Sequence, residues 1–398
     1  YHLPTGRHRV IRCLTLLHEN GEIMAKKTAS KAGKMSIADM RAMINKQAGI
    51  NVAHSLTEKN PTQVPYWIPT GSRWLDSIIS RGEMAGIPGS KISELAGLAS
   101  TGKSYMAAQV AANAQKMGID VFYFDSESAI DPEFLKNAGC NLDELMYIQA
   151  MSVEFVLETI ETLLASNNNR MLFIWDSLAL TPAISDIEGD FNPQSSMAVK
   201  ARILAKGLSK LIIPIANSES TFLILNQLKA NITRSPSEAM TTPYMTPGGK
   251  ATIYSYSLRI WLTGRKAKAS FVVDDKGFRV GSEVKVKLEK SRFGTQGRQC
   301  NFKILWGDKI GIQDDESLFD AISSSESLKR LGAWYELHDA DGKALGSKFQ
   351  STKWTDRMKD DVFRQRVYEI MDEEIIFKFD KRLGNASDFY EDKQEVGN

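Results

Sequence analysis

The sequence predicts an α/β fold with a mostly parallel central sheet covered by helices, and three observations carry that prediction. The first is size and composition: 398 residues, 42% hydrophobic and 25% charged, are globular values in a chain longer than one ordinary domain. One large domain with smaller appendages is therefore expected. The second is an alternation, from Lys91 onward, of short apolar runs with helical stretches. Near-continuous apolar strands separated by helices imply a parallel sheet with both faces covered. The third is Gly97-Leu-Ala-Ser-Thr-Gly102-Lys103-Ser104, a glycine-rich turn between a predicted strand and a predicted helix.

Residues 1–23 hold a basic stretch (Arg7, His8, Arg9, Arg12) before the short apolar run Cys13–Leu17. A secretory signal needs a longer run and a small-residue cleavage site, so this stretch reads as upstream sequence, with Met24 as the native start. Residues 1–35 are expected to be a disordered basic arm. Ser36 is an N-cap before Ile37, Met40, Met43 and Ile44, the spacing of a short amphipathic helix. Such a helix is marginal alone, so its apolar face must pack, on another subunit or as a flap on its own chain. It belongs to an N-terminal segment, 36–66, whose end opens the proline-flanked string Val64-Pro-Tyr-Trp-Ile-Pro that leads into the core.

Within the core, 67–314, strands are expected at 91–97, 121–127, 171–177 and 221–227, and helices at 103–117, 132–138, 153–166 and 194–218. Later apolar runs (258–263, 271–273, 284–288, 302–306) extend the same sheet in the antiparallel sense. They are joined by turns such as Asp274-Asp275-Lys276-Gly277. Residues 315–382 read as a small C-terminal α/β subdomain, and 383–398 as an acidic, mobile tail.

Charge and composition exclude whole classes of function. Fifty Lys and Arg against 48 Asp and Glu leave a net charge of only +2, so any polyanion must be gripped locally. Residues 1–60 carry ten of those basic and four of those acidic residues, which makes the remainder slightly acidic. No apolar run reaches the ~18 residues of a membrane span. Cys13, Cys140 and Cys300 form no C-x-x-C and read as reduced thiols of a cytoplasmic protein. Only His338 lies beyond residue 60, which removes histidine-based triads and zinc sites from the core.

The Gly97–Ser104 string satisfies G-x-x-x-x-G-K-[ST], the P-loop or Walker A element. Its glycines let backbone N–H groups wrap phosphate oxygens, Lys103 reaches the terminal phosphates, and Ser104 ligates Mg²⁺. Leu172-Phe-Ile-Trp-Asp176 is a buried strand ending in a carboxylate, the shape of a Walker B element whose aspartate supports the Mg²⁺ shell. A second strand ends in Asp125-Ser-Glu127; Glu127 is either a general base for the attacking water or a solvated strand end. The [NT]-K-x-D element of guanine readers is absent, which favours ATP. Two long segments follow strands: 184–196, with Phe191 near its centre, and 228–249, rich in Ser, Thr, Met and Pro. Lys229, Arg234 and Lys250 against Glu238 make the second mildly basic, and loops this long are functional or ordered by a partner.

Five further strings complete a pattern: Glu127-Ser-Ala-Ile-Asp131-Pro, Asp176-Ser-Leu-Ala-Leu-Thr-Pro, Ile187-Glu188-Gly189-Asp190, Leu225-Asn226-Gln227-Leu-Lys229 and Thr246-Pro-Gly248-Gly249-Lys250. In order and spacing they resemble the RecA family, from about residue 36 to 382. With Trp67-Ile-Pro-Thr-Gly71-Ser-Arg-Trp-Leu-Asp and the helix-plus-arm N-terminus, the chain looks most like the phage-type (UvsX) group. The resemblance implies a RecA-like ATPase core, an oligomerisation role for 36–66, and an ATP–Mg²⁺ site between protomers of a helical filament. Gly97, Ser100, Thr101, Gly102, Lys103 and Ser104 would cradle the phosphates. Ser104 and Asp176 would hold the metal, Glu127 would be the catalytic glutamate, and Asp131 and Phe134 would meet adenine, with Phe in place of a frequent Tyr. Gln227 would sense the γ-phosphate. Lys290 and Arg292 would reach the neighbour's γ-phosphate, Arg292 standing where the family carries lysine. Ile187, Glu188, Gly189 and Phe191 fall in the first DNA-binding loop, and Lys229, Arg234, Gly248, Gly249 and Lys250 in or beside the second. Ile253 stands where a lysine is common, so interface contacts are not transferred.

The function so implied is a DNA-dependent ATPase that forms filaments on single-stranded DNA and catalyses homologous pairing and strand exchange. It would serve recombination, recombination-dependent replication and repair. Its partners are single-stranded DNA, homologous duplex, further copies of itself, and a recombination mediator and single-strand-binding protein. A ring helicase on the same core and a non-catalytic ATP-gated DNA-binding regulator are the alternatives.

Overall fold

The computed structural model describes residues 35–49, 51–80, 85–128, 130–166, 168–188, 196–231, 243–264, 270–306 and 310–376. The expected basic arm up to residue 34 and the acidic tail 383–398 lie outside them. The chain divides into two units after Gln63. The first contains helix α1, Ile37–Ala48, which starts in a capping box. The Ser36 hydroxyl accepts from the Asp39 N–H at 3.1 Å, and the Asp39 carboxylate accepts from the Ser36 N–H at 3.3 Å. Gly49, in the left-handed region at φ 68°, ends the helix. The Asn45 amide oxygen then accepts from the N–H groups of Val52 and Ala53, which fixes the exit. Ile37, Met40, Met43 and Ile44, the predicted apolar face, are all exposed.

The second unit opens with β1, Trp67–Ile68, and α2, Arg73–Ile79; β1 pairs antiparallel with β2, Ile87–Pro88. Neither the ribbon nor α2 was expected. The helix is only two turns long, capped by Ser72, and buries Leu75, Ile78 and Ile79. Next come β3 (Ile92–Gly97), α3 (Lys103–Lys116), β4 (Asp120–Asp125), α4 (Pro132–Asn137), β5 (Leu145–Gln149) and α5 (Val153–Ser166). After these the chain forms β6 (Met171–Asp176), α6 (Ile184–Glu188), α7 (Ser196–Asn217) and β7 (Thr221–Gln227). The short pair β8 (Lys229–Ala230) and β9 (Tyr244–Met245) leads to α8 (Lys250–Ser255) and β10 (Leu258–Gly264). Strands β11 (Phe271–Val273), β12 (Arg279–Ser291), β13 (Gln299–Trp306) and β14 (Ile310–Gln313) complete a ten-stranded sheet of order β14-β13-β12-β10-β3-β7-β6-β4-β5, with β11 on β12.

Strands β10, β3, β7, β6, β4 and β5 are mutually parallel, and β11 to β14 add the expected antiparallel extension. Run 258–263, expected to belong to that extension, instead forms β10 parallel to β3, so the change of direction falls one strand later, between β10 and β12. Alternation along each strand divides the core between the two faces. On β4, Val121 and Tyr123 join the cluster around α3, while Phe122 and Phe124 join the cluster around α5 and α7. The first cluster brings the alanine-rich face of α3 (Ala107, Ala108, Ala111) against Leu95, Ile174 and Leu223. The second interleaves Phe173, Trp175 and Phe222 with Val156, Leu204 and Leu208.

Three local expectations change. Strand β5 was not anticipated: it is an edge strand whose residues are half-buried or exposed, so it lacks the apolar run that marks its neighbours. Segment 184–196 opens as the one-turn helix α6 rather than as a loop, and 228–249 begins and ends in the paired strands β8 and β9. Beyond Asp314, helix α9 (Asp315–Ile322), the hairpin β15 (Leu328–Leu331) and β16 (Trp334–Leu337), and helices α10 (Trp354–Arg357) and α11 (Asp361–Ile370) enclose a separate cluster around Phe349, Trp354 and Phe363. The Asp314 carboxylate accepts from the Ser72 hydroxyl and the Trp74 N–H, and Arg73 pairs with Asp372 at 3.0 Å, so this lobe is tied to α2.

Candidate nucleotide site

The glycine-rich turn joins β3 to α3 at the carboxyl edge of the sheet. A Cβ at Gly97 would lie 2.6 Å from the Thr101 hydroxyl and 3.0 Å from Leu262, so only glycine fits there. Ser100 and Gly102 take left-handed φ values of 58° and 82°. Left-handed residues placed among ordinary ones turn successive N–H groups to one side, the concavity that holds phosphate oxygens. The Thr101 hydroxyl and the Lys103 ammonium both donate to the Leu98 carbonyl, at 2.8 and 3.0 Å. Burial pushes the Lys103 pKa down, while Asp176 and Glu127 pull it back up. A cation held this way gains from an incoming anion.

Facing the turn are the ends of β4 and β6, where Asp125 and Asp176 stand in register. Tyr123 donates to Asp176 at 2.9 Å, and the Ser104 hydroxyl shares the cavity wall with this carboxylate. Burial raises the Asp176 pKa, the Ser104 and Tyr123 hydroxyls oppose that rise, and the charges of Glu127 and Asp125 add to it. Asp125 was not singled out in the sequence, yet it organises the turn that carries Glu127. One of its oxygens accepts from the N–H groups of Glu127 (2.8 Å) and Ser128 (3.1 Å), and the other from Tyr147 (3.2 Å). An aspartate two residues before a glutamate, at a buried strand end, was the available signal.

A cavity of about 290 Å³ opens here, lined by Ser104, Asp125, Glu127, Ile130, Asp131, Phe134 and Asp176. Asp131 caps α4, accepting from the Glu133 N–H at 3.0 Å, and Phe134 meets Tyr105 edge to face at 5.8 Å between centroids. Five predicted residues (Ser104, Glu127, Asp131, Phe134 and Asp176) therefore share one wall.

Gln227 ends β7 directly opposite Gly97 on β3, and the Leu228 N–H donates to the Gly97 carbonyl at 3.0 Å. Lys229 follows on β8, paired with Met245 on β9. Gly248 and Gly249, at φ 109° and 82°, turn the chain into α8. Ile187, exposed, and Glu188 lie on α6. Lys200 on α7 fixes the turn between Asp176 and α6 by donating to the carbonyls of Leu178, Ala179 and Thr181, a role its sequence context did not mark. Gly189, Phe191, Arg234 and the side chain of Lys250 lie outside the described residues.

Lys290 and Arg292 are not part of this cavity. On β12, Lys290 pairs with Arg259 of β10, which pairs with Glu94 of β3, three residues before Gly97. At ~3.3 Å per residue, Lys290 sits about 10 Å back from the phosphate turn along the strands, and Arg292 sits further. Both side chains point to α8: Lys290 donates to the Ile253 carbonyl at 2.7 Å and Arg292 to that of Tyr254 at 2.8 Å. Burial, with Arg292 and Arg259 nearby, pushes the Lys290 pKa down to about 8.

Comparison with known proteins agrees with this geometry. The RecA N-terminal domain family model matches residues 35–311. Protein RecA of Fusobacterium nucleatum is 32% identical over 316 residues, 79% of this chain and 79% of the relative. Protein RecA of Caldanaerobacter subterraneus is 31% identical over 309 residues, 78% of this chain and 84% of the relative. Protein RecA of Saccharopolyspora erythraea is 30% identical over 321 residues, 81% and 87% respectively. With a P-loop between β3 and α3, acidic strand ends facing it, and a family match across most of its length, the chain belongs to the RecA family.

Proposed function

We propose that this chain is an ATP-dependent recombinase of the phage type, which assembles as a helical filament on single-stranded DNA and exchanges it into homologous duplex. A recombination mediator and a single-strand-binding protein would act with it. The observation that carries this reading is convergence at one sheet edge. The phosphate turn after β3, Glu127 after β4, the segment after β6 and the segment after β7 all leave the carboxyl ends of parallel strands.

The residues present fit Mg²⁺–ATP. Lys103 lacks a carboxylate partner among the described residues and meets only a carbonyl oxygen, and Ser104 and Asp176 line the same cavity, where one metal ion can take an oxygen from each. Bound Mg²⁺–ATP supplies the phosphoryl group whose transfer to water drives the cycle. Gly97 to Ser104 orient the phosphates, with Ser104 and Asp176 toward the metal. Asp131 and Phe134 hold the base. Glu127, fixed by Asp125, accepts the proton of the attacking water at its carboxylate.

Lys290 and Arg292 stand too far back to serve their own turn, so their charges are available to a nucleotide on an adjoining subunit. Neutralising that nucleotide from two subunits makes assembly depend on ATP. Contacts through Ile187, Glu188, Gly189, Phe191, Lys229, Arg234, Gly248, Gly249 and Lys250 then repeat along the filament. A modest charge per subunit suffices because the grip is multivalent. A strand-exchange assay with homologous and heterologous duplexes, with and without ATP, tests this function. ATP-dependent joint molecules with homologous duplex alone are expected; unwinding without pairing would identify a helicase.

A further inference from the structure

One layer behind the phosphate turn lies a network that the proposed chemistry does not use. Glu94 on β3 is fully buried and Arg259 on β10 nearly so, and the Arg259 Nε donates to Glu94 Oε2 at 2.6 Å. The Asn226 amide nitrogen donates to Glu94 Oε1 and to the Pro247 carbonyl, both at 3.0 Å. Its amide oxygen accepts from the N–H of Gln227, also at 3.0 Å. Arg259 Nη2 donates to the Thr246 hydroxyl at 2.9 Å, and its guanidinium lies over the rings of Tyr256 and Trp261. The strand leading to the phosphate turn, the strand ending in Gln227 and the stem of the 228–249 segment thus meet at one cluster.

A buried ion pair is a poor way to gain stability, since desolvating both charges offsets their attraction and an apolar pair of similar volume often does as well. What the pair adds is direction. Glu94 orients Asn226, Arg259 orients Thr246, and both anchors end on adjacent stem residues.

We propose that Asn226, held by the Glu94–Arg259 pair, is a positioning residue that transmits the setting of the β7 end to the second loop through Thr246 and Pro247. This rests on the reading that Gln227 responds to nucleotide and that the 228–249 segment binds DNA. Displacement of Gln227 pulls on the Asn226 amide, which cannot follow without releasing either Pro247 or Glu94. On this proposal the stem exchanges the bonded arrangement for a released one, which is the requirement for coupling two sites.

The test uses the full chain with Asn226→Ala and Thr246→Val. Two quantities are read: affinity for a labelled oligo-dT with and without a non-hydrolysable ATP analogue, and hydrogen exchange of amides between Tyr244 and Gly249 on adding the analogue without DNA. Wild type should gain DNA affinity with the analogue, and Asn226→Ala should lose about tenfold of that gain, within the ~5–150-fold range of allosteric coupling. Its affinity for a fluorescent ATP analogue should stay unchanged and its stem amides should stop responding. Thr246→Val, which removes one bond at a half-buried stem, should show a smaller loss in the same direction and carries the test if Asn226→Ala does not fold. Retention of the full gain by folded variants, or an equal loss of ATP affinity, overturns the proposal. Wild-type stem amides that ignore the analogue also overturn it. Stem amides that respond while wild-type DNA affinity does not change would instead overturn the recombinase reading and leave the relay standing.

Discussion

Two sets of buried charges, one on β3 and β10 and the other at the start of α3 and the end of β6, are completed in opposite ways. Glu94 and Arg259 find each other, and the groups around them are amides and hydroxyls of the same chain. Lys103, opening α3, is met by a carbonyl, and Asp176, ending β6, by the Tyr123 hydroxyl; burial shifts both toward their neutral forms. The first arrangement closes within the chain and fixes three strands to a stem. The second is left open at the phosphate turn and at the cavity wall that Asp176 lines, where an ion of the missing sign can complete each charge. In one sheet, then, charge satisfied internally sets architecture, and charge satisfied weakly sets the ligand.

The largest effect expected from breaking this contrast is on the closed pair. Arg259→Met strands a buried carboxylate and should cost about 3–5 kcal/mol in urea unfolding. The double change Glu94→Gln with Arg259→Met should recover most of that loss. A single variant as stable as wild type would show that the pair is not what closes the network.

At the open set the order reverses. Glu127→Gln should lower ATP turnover by about 100-fold or more, the usual worth of a general base, while urea unfolding stays at the wild-type value. Unchanged turnover would remove Glu127 from the catalytic role.

Lys290 gives a graded test. Its pKa is lowered to about 8 from 10.5, so the cation is lost as pH rises through about 8. ATP-dependent assembly measured by light scattering should decline over that range, and Lys290→Arg should hold it up, because guanidinium stays charged. Stability has the opposite sign. Between about 8 and 10.5 the unfolded chain binds the proton that the folded chain has released, so this group makes unfolding less favourable as pH rises. Parallel trends in assembly and stability would contradict the assignment.

The smallest effect is expected at Tyr147. Removing its hydroxyl from Asp125 in Tyr147→Phe should cost about 1 kcal/mol and lower turnover only modestly, since the Glu127 and Ser128 N–H groups still hold Asp125. A loss as large as that of Glu127→Gln would move Tyr147 into the chemistry itself.

Much of the site is legible in the sequence because its signals are local. Gly97 to Ser104 specify a turn by steric demand within eight residues, and apolar runs ending in Asp125 and Asp176 announce buried strands with polar ends. Less legible are elements whose reason is distant. Strand β5 forms because β4 offers an edge, not because its own residues alternate. Asp125 looks like any acid at a strand end until Tyr147 and the Glu127 turn close on it. Asn226 is one residue from a marked glutamine, and nothing nearby predicts its bonds to Glu94 and Pro247.

By itself the sequence determined the periodicities, the phosphate turn and the family, since each rests on residue types at fixed short spacing, where side-chain sterics and backbone geometry act alone. Only the tertiary structure decided which strand ends share a wall, that Lys290 and Arg292 face α8 rather than their own turn, and that one buried ion pair joins three strands to a stem. Those outcomes depend on strand order and register, which are set by burial of two whole sheet faces at once and so cannot be read from any single stretch of chain.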